Sequence, residues 1–442
     1  MLSDLPSVFL LFPNPPDLAL RQPFTPAATL PLVLSHYALA VLAILPNTFI
    51  FKLSLLPIIL WQAWCCTVKL DFSIWLAQLV GVRNADRLNF WNFTFVVGML
   101  SIVLKSLEWT FIKKPLRRYE IQKGQGSSIP TERRLSISNV LLDALDLFCN
   151  QRGIGWSWST NPFPRESIPL PSIATILAKT LFKVVVFDTS QYLIHYVRPS
   201  IANPGGDSLF DPSLDPIPRT IWAAFAAIFG GIWAYTMVDS IYHIATLVGR
   251  IFLRQPASQW PPLFHRPWMS TSIHEFWSVR WHQLFRRVFI IFGARPGGTL
   301  LGRYSALMGG FTVSALLHHI GVWGLGRGSE FSTTGGFFLL MGVGIVMESV
   351  FSKVTGLRVK GCYGWAWTML WTLLWGSFML DGWARHGMLV NAFLPNWLRP
   401  GKVLVDTIIH LSRHGLSLVF FLNSLVPKTW MLRSRGPCHC IT

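Results

Sequence analysis

Long apolar stretches, separated by shorter polar loops, determine what class of protein this chain can form. An α-helix needs about 20 residues to cross the hydrocarbon core of a bilayer. Eight or nine stretches approach that length, at 29–46, 48–68, 90–112, 171–197, 219–249, 301–323, 333–353, 363–381 and, interrupted by charged residues and histidines, 403–426. We therefore predict an all-α, polytopic integral membrane protein with eight or nine transmembrane helices.

The composition supports this prediction. Apolar residues make up 51% of the chain and charged residues only 13%, about half the usual share in globular proteins. So few charges cannot cover a soluble surface, and disordered, collagen-like and disulfide-framework proteins are excluded as well. The six cysteines show no metal-ligand spacing, and Cys65 and Cys66 adjoin within an apolar run, so we expect them to be packing residues.

The charges are distributed unevenly along the chain. Lys and Arg number 38 against 20 Asp and Glu, a net charge of +18, and the positive-inside rule explains this balance without a nucleic-acid partner. Basic residues fill the loops 113–134 and 250–303, whereas 198–218, between them, contains three aspartates and one arginine. This alternation predicts that 113–170 and 250–300 face the cytosol and that 198–218 faces the lumen.

No internal repeat or composition break divides the chain. We predict a single membrane-embedded domain over 1–442, with a cytosolic polar loop at 113–170 and a cytosolic, motif-bearing segment at 250–300. The expected location is the membrane of the endoplasmic reticulum.

The most unusual polar segment is 268–287, with the sequence WMSTSIHEFWSVRWHQLFRR. Ser272 is followed three residues later by Glu275, which is typical of a capping box and predicts an interfacial amphipathic helix from this point. One face of that helix would hold Trp277, Arg280, Trp281 and Leu284. Two interpretations remain open: an interfacial helix whose arginines reach lipid headgroups, or a basic binding site.

A second unusual feature is a pair of histidines inside the apolar stretch 301–323. Helical spacing places Phe311, Ser314 and His318 on one face, while His319 points about 100° away. A titratable residue within a membrane span indicates function, although a neutral histidine bonded between helices would also fit.

Three sequence elements occur between 150 and 320. They are Arg152-Gly-Ile-Gly-Trp156; Trp260-Pro-Pro-Leu-Phe with Phe276-Trp277-x-x-Arg280-Trp281-His282-Gln283; and Phe311-x-x-Ser314-Ala315-x-x-His318. Together they resemble the wax-synthase-like branch of the membrane-bound O-acyltransferase superfamily, most closely its fungal secondary-metabolite acetyltransferases. Ala315 stands where that branch has Gly, and His282 where the wider superfamily more often has Asn or Asp.

The resemblance implies acyl transfer from a coenzyme A thioester to a hydroxyl. It implies His318 as the general base and His282 as a second catalytic residue, which suits a reaction that needs a base for the alcohol and donors for an oxyanion. Binding of the acyl-CoA would fall to Arg280, Arg286, Arg287 and Trp281, since arginine suits phosphates by charge and geometry. Acyl-CoA, most plausibly acetyl-CoA, is then a co-substrate, and we expect no metal and no permanently bound cofactor.

The expected partners are a hydrophobic alcohol, acetyl-CoA and the lipid bilayer, with no nucleic acid. We expect an acetyltransferase that acts on a terpenoid or meroterpenoid alcohol. Three alternatives remain: a long-chain wax or sterol ester synthase, a non-catalytic scaffold, and a proton-coupled transporter whose relay would comprise Asp239, His318 and Glu348.

Overall fold

A computed structural model describes residues 18–123, 128–132, 136–159, 171–390 and 399–413. Within these residues the chain is almost entirely helical. The helices are α1 (Pro26–Ile44), α2 (Phe49–Lys69), α3 (Phe72–Val80), α4 (Phe90–Phe111), α5 (Ile137–Cys149), α6 (Ile173–Val197), α7 (Pro216–Ile251), α8 (Ile273–Glu275), α9 (Arg286–Phe289), α10 (Arg295–Leu301), α11 (Arg303–Trp323), α12 (Phe331–Thr355), α13 (Gly361–Arg385) and α14 (Pro400–Arg413). The strands are β1 (Gln22–Pro23), parallel to β2 (Leu70–Asp71), and β3 (Tyr119–Lys123), antiparallel to β4 (Ser128–Glu132).

Six described helices are long and apolar enough to cross a membrane: α1, α2, α4, α7, α11 and α12. Each coincides with a predicted span, so the prediction of an all-α polytopic membrane protein is confirmed. Helices α6 and α13 coincide with two further predicted spans and are 25 residues long each, but they are not among these six. Helix α14 covers the first part of the ninth stretch, and residues from 414 onward lie outside the described part. The exact number of spans stays a prediction.

Local sequence signals account for many helix ends. Ser172 caps α6 by accepting a hydrogen bond from the backbone N–H of Thr175, and Ser136 caps α5 in the same way through Asn139. Helix α12 ends at Gly356, whose φ of 72° is the left-handed conformation that glycine adopts without strain. The ends of the helices differ from the ends of the predicted spans by only a few residues in most cases.

The helices pack as neighbours in the order α5–α1–α2–α4–α11–α12–α13–α7–α6–α14. Where α7 meets α13, a Cβ on Gly230 would lie 2.4 Å from a methyl group of Leu380, so the absence of a side chain at Gly230 leaves room for Leu380. The chain order differs from the spatial order, because α11, α12 and α13 insert between α4 and α7. This arrangement encloses space between α7, α11, α12 and α13.

The polar segment 113–170 is more structured than a plain loop. Its described residues form β3, β4 and α5, and α5 packs against α1. Arg118 joins the two parts through a hydrogen bond of 2.9 Å to Asp143. This buried ion pair ties the hairpin to α5 and thereby to the membrane helices.

The single amphipathic helix predicted from Ser272 is wrong. The structure has one short α-helical turn, α8, continued by a π-helical segment (Phe276–Arg280) that stops before Trp281. The backbone is extended at Trp281 and becomes helical again only in α9. One tertiary hydrogen bond lies at the break: the carbonyl of Arg280 accepts from the backbone N–H of His265. A local one follows it, since the carbonyl of Trp281 accepts from the side chain of Gln283. The predicted helix face is consequently divided between two directions.

Candidate active site

A cavity of about 940 Å³ lies between α6, α7, α11, α12, α13 and the segment that links α7 to α11. Its wall consists mainly of apolar and aromatic side chains. Both predicted catalytic histidines, His282 and His318, line it. Of the residues predicted to bind acyl-CoA, Trp281 and Arg286 line it, whereas Arg280 and Arg287 are not among its described lining residues. The cavity thus brings together two parts of the chain that sequence analysis singled out separately.

His318 projects from α11 into the cavity together with Phe311 and Ser314, as helical spacing predicts. Its Nδ1 lies 2.8 Å from the carbonyl oxygen of Ser314. A carbonyl only accepts hydrogen bonds, so this contact places the proton on Nδ1 and leaves Nε2 as the acceptor. The imidazole also stacks on Phe338, with ring centroids 4.1 Å apart. Both contacts hold the ring in one orientation.

His319, the adjacent histidine, occupies a different environment. It is not among the described residues that line the cavity, and its ring packs edge-on against Phe331 with centroids 5.3 Å apart. Its Nε2 lies 3.5 Å from the hydroxyl of Ser329. The prediction that only one of the two histidines faces a given cavity is confirmed.

His282 lies in the extended stretch that follows the π-helical segment. Its ring meets Phe264 and Trp281, with centroids 5.7 Å and 5.8 Å away. Burial, with a further contribution from neighbouring His318, lowers the pKa of His282 to about 3. The imidazole is therefore neutral at physiological pH. Its Nδ1 is buried and has no hydrogen-bond partner among the described residues.

Four other residues that line the cavity each have a buried polar atom without a partner in the described part of the chain. These atoms are Trp277 Nε1, Trp233 Nε1, Trp383 Nε1 and Thr372 Oγ1. An indole N–H only donates, and a buried donor without a partner is unusual in a folded protein. These positions are suited to oxygen atoms of a bound substrate. Trp277 belongs to the motif found in the sequence, but no local pattern distinguishes Trp233, Trp383 and Thr372, since tryptophans are common near the ends of membrane spans.

Reciprocal hydrogen bonds cap the first helical turn of the motif-bearing segment 250–300, which is called the motif segment below. The hydroxyl of Ser272 accepts from the backbone N–H of Glu275 at 3.0 Å, and the Glu275 carboxylate accepts from the backbone N–H of Thr271 at 2.8 Å. The capping box predicted from the sequence is present, with Thr271 in place of Ser272 as the second donor. Glu275 also binds Arg280 at 2.7 Å. Together with Arg280, these hydrogen bonds lower the pKa of Glu275 although its burial opposes them.

Glu348 of α12 anchors the same segment from outside. Its carboxylate accepts hydrogen bonds from the backbone N–H groups of Ile273 and His274, at 2.6 Å and 3.1 Å, and from the indole of Trp367 at 3.1 Å. Negative charge at a helix start is favourable because the first N–H groups lack partners within the helix. Glu348 therefore fixes α8 on the helix that also supplies Phe338, the ring stacked on His318.

The three predicted phosphate-binding arginines have different surroundings. Arg280 bonds to Glu275 and to the carbonyl of His265 at 3.0 Å. Arg287 forms an ion pair with Glu108 and lies over the ring of Trp158, 5.2 Å from its centroid. Arg286 has no carboxylate within salt-bridge distance among the described residues and bonds to the carbonyl of Ser278 and the side chain of Gln283. Arg286 thus keeps the most donors available at the cavity.

The RGIGW element connects two other parts of the site. Arg152 donates to the carbonyl oxygen of Pro261 at 2.9 Å and to the hydroxyl of Tyr242 at 3.1 Å. Pro261 belongs to the WPPLF element, and Trp156 donates to Asp146 at 2.8 Å. The element therefore supports the segment that precedes the motif and does not itself line the cavity in the described structure.

The acids of the alternative transporter relay do not converge. Asp239 pairs with Lys183 and lies 4.0 Å from His243, four residues later on α7. Neither Asp239 nor Glu348 is among the described residues that line the cavity beside His318. Lys183 does line it, so the ion pair presents its cationic end to the cavity.

Residues 260–340 match the model of the Membrane bound O-acyl transferase family. This stretch contains His282 and His318 and most of the motif segment. The match covers less than a fifth of the chain. In that part the chain is similar to the family that its sequence elements predict.

Individual curated proteins are similar to the chain over longer stretches. The chain is 28% identical over 267 residues to the O-Mevalon transferase macI of Penicillium terrestre, covering 54% of this chain and 61% of that protein. It is 29% identical over 233 residues to the Acetyltransferase eriL of Hericium erinaceus, covering 49% and 58%. A Long-chain-alcohol O-fatty-acyltransferase of Simmondsia chinensis is 29% identical over 138 residues, 29% of this chain and 39% of that one. The chain thus spans little more than half the length of the first two.

Proposed function

We propose that the protein transfers an acetyl group from acetyl-CoA to a hydroxyl of a hydrophobic secondary metabolite, a terpenoid or meroterpenoid. One observation carries the proposal: His318 lines a mainly apolar cavity with its Nδ1 bonded to Ser314, so that Nε2 is the acceptor. The similarity to relatives named acetyltransferases supports acetyl as the acyl group.

The base in this reaction is Nε2 of His318. It accepts the hydroxyl proton of the alcohol as the oxygen attacks the thioester carbonyl, because an alcohol is a poor nucleophile at neutral pH. The tetrahedral intermediate then collapses, the C–S bond breaks, and the coenzyme A thiolate takes the proton back from the imidazolium. The products are the ester and coenzyme A, and no covalent acyl-enzyme is required.

Oxyanion stabilisation falls to donors of the motif segment. The buried Nδ1 of His282 lacks a partner in the described structure, and a neutral imidazole carries one N–H that it can direct there. The indole N–H of Trp277 is a second unpartnered donor, and its ring lies 5.9 Å from that of Phe338, which stacks on His318. Both donors are neutral groups that can donate a hydrogen bond to the negatively charged oxyanion, and His318 stays free to act as the base.

Acyl-CoA enters from the cytosolic side in this proposal. Arg286 is the best placed of the predicted phosphate-binding residues because it lines the cavity and has no acidic partner among the described residues. Arg280 and Arg287 keep their proposed roles in coenzyme A binding but act from ion pairs with Glu275 and Glu108. Trp281 forms part of the cavity wall beside His282.

The proposed acceptor is a hydrophobic alcohol that reaches the cavity from the bilayer, and the proposed location is the membrane of the endoplasmic reticulum. One membrane-embedded domain performs the reaction. The runner-up is a long-chain ester synthase, favoured by the similarity to the long-chain-alcohol acyltransferase.

The deciding experiment incubates membranes containing the protein with labelled acetyl-CoA or labelled palmitoyl-CoA and a panel of terpenoid, sterol and long-chain alcohols. We expect acetyl esters of terpenoid alcohols, and their absence from membranes that contain His318→Ala. Preferential formation of palmitoyl esters would replace the proposal with the long-chain synthase. Absence of any ester with wild-type membranes would contradict acyl transfer altogether.

A further inference from the structure

A second groove, separate from the cavity, lies between α11 and α12 on the outer surface of the helix bundle. Apolar side chains of both helices line it, including Met308, Val343, Met347 and Val350. Met347 and Val350 are 46% and 47% exposed, so the groove opens toward the surroundings of the bundle. In a membrane protein those surroundings are lipid acyl chains.

The two helices pack closely beside this groove. A Cβ on Gly342 of α12 would lie 2.8 Å from the sulfur of Met308 of α11, and Met308 lines the groove. Toward the end of α12 the groove continues beside Val350. This shape suits a single acyl chain.

Two cations meet at one end of the groove. Arg303, at the start of α11, and Lys353, near the end of α12, lie over the ring of Tyr304, 5.0 Å and 5.2 Å from its centroid. Arg303 donates to the hydroxyl of Ser349 at 2.9 Å. Both cations are exposed, and neither forms a salt bridge with an acid in the described residues. The cluster of Arg303, Tyr304, Ser349 and Lys353 is therefore a concentration of uncompensated positive charge.

The surrounding sequence keeps acids away from this cluster. Glu348 is the only acidic residue in 295–310 and 343–360, and its carboxylate is directed at Ile273 and His274 on another side of α12. Arg358 and Lys360 follow α12 in the next loop and are not part of this cluster.

We propose that the groove binds an anionic phospholipid, with its phosphate at Arg303, Lys353 and the hydroxyls of Tyr304 and Ser349, and one acyl chain beside Met347 and Val350. Arginine donates several hydrogen bonds to one phosphate, and a bilayer leaflet that contains anionic lipid attracts basic residues at its surface. A zwitterionic lipid offers the same acyl chain but cancels the charge of the phosphate.

The test is native mass spectrometry of the full-length protein in detergent, titrated with phosphatidylglycerol or with phosphatidylcholine of identical acyl chains. We expect tighter binding of phosphatidylglycerol, weakened about fivefold by Arg303→Gln or Lys353→Gln and about thirtyfold by both. The matched control, Arg358→Gln with Lys360→Gln, removes two positive charges from the neighbouring loop and should leave binding unchanged. Inorganic phosphate should not compete, because it has no acyl chain to fill the groove.

A variant that keeps all charges tests the groove separately. Val350→Trp places a large side chain in the groove and should weaken binding of both phospholipids. Equal binding of the two phospholipids by the wild-type protein would overturn the proposal, as would an equal loss in the control variant. Unchanged binding by Val350→Trp would show that the lipid is not held in this groove.

Discussion

The carboxylate of Glu348 accepts a hydrogen bond of 2.6 Å from the backbone N–H of Ile273, and this contact ties α12 to the start of the motif segment. The two residues are 75 positions apart in the chain. Helix α12 also carries Phe338, which stacks on His318. The same helix therefore contacts His318 and the segment in which His282 lies. The carboxylate is mostly buried, so its hydrogen bonds are poorly replaced by water.

Glu348→Ala should therefore lower kcat by about tenfold or more, because a hydrogen bond to a charged group contributes roughly 1.5–3 kcal/mol. The KM for the alcohol should change much less, since Glu348 does not touch the cavity in the described structure. Glu348→Gln keeps one acceptor oxygen and should recover part of kcat. The control is Glu330→Ala, which removes the acid just before α12. Equal losses in the two alanine variants would assign Glu348 a merely structural role.

His318→Ala should abolish ester formation while expression and membrane insertion stay near the wild-type level, because Nε2 of His318 is the proposed base. His319→Ala should retain much more activity, since His319 packs against Phe331 away from the cavity. The measurement is the initial rate of acetyl transfer in membranes with equal amounts of protein. Reversed losses would mean that His319 is the base.

Arg286→Lys should raise the KM for acyl-CoA by about tenfold to a hundredfold, because lysine lacks the planar fork that binds a phosphate at two points. The KM for the alcohol should change little. Arg280→Lys should also raise the KM for acyl-CoA, with an added loss of stability because Arg280 joins Glu275 to the carbonyl of His265. If all three lysine variants, including Arg287→Lys, keep wild-type acyl-CoA kinetics, these arginines anchor the protein at the lipid surface instead.

His282 should make the protein less stable in acid. Its pKa is lowered from 6.5 to about 3, so between these pH values the unfolded chain binds a proton that the folded protein does not. The free energy of unfolding then falls as pH decreases through this window. The slope of the unfolding free energy against pH gives the number of protons taken up on unfolding, and between pH 6.5 and 5 His282→Asn should lower this number by up to about one. The measurement is the unfolding midpoint in detergent at several pH values. Gln283→Asn is the control, because neither residue titrates. Equal slopes of the midpoint against pH in wild type and His282→Asn would contradict the prediction.

Orientation in the membrane is open to direct labelling. Single cysteines at 120–135 and 255–265 should react with an impermeant reagent added from the cytosolic side, and cysteines at 203–213 only after the membrane is opened. The reason is the alternation of basic and acidic loops along the chain. Cytosolic labelling of 203–213 would reverse the topology and remove the basis for phosphate binding by Arg286.

The sequence alone determined the membrane class, the positions of six helices that are long and apolar enough to cross a membrane, and the face of α11 that carries His318. These features depend on local hydropathy and helical spacing, which act within about 20 neighbouring residues. The predicted capping box at Ser272 is local in the same way and is present.

Tertiary structure alone decided the course of the motif segment and the partners of its charged groups. The helix predicted from Ser272 breaks after Arg280, where the backbone N–H of the distant His265 binds the carbonyl of Arg280 from outside the helix. The ion pair of Arg287 with Glu108 joins residues 179 positions apart, and no local pattern indicates such a pair. These contacts form only when segments distant in the chain pack together. A buried charge without a partner is unfavourable in a low-dielectric interior, so it pairs with an opposite charge that the fold places nearby.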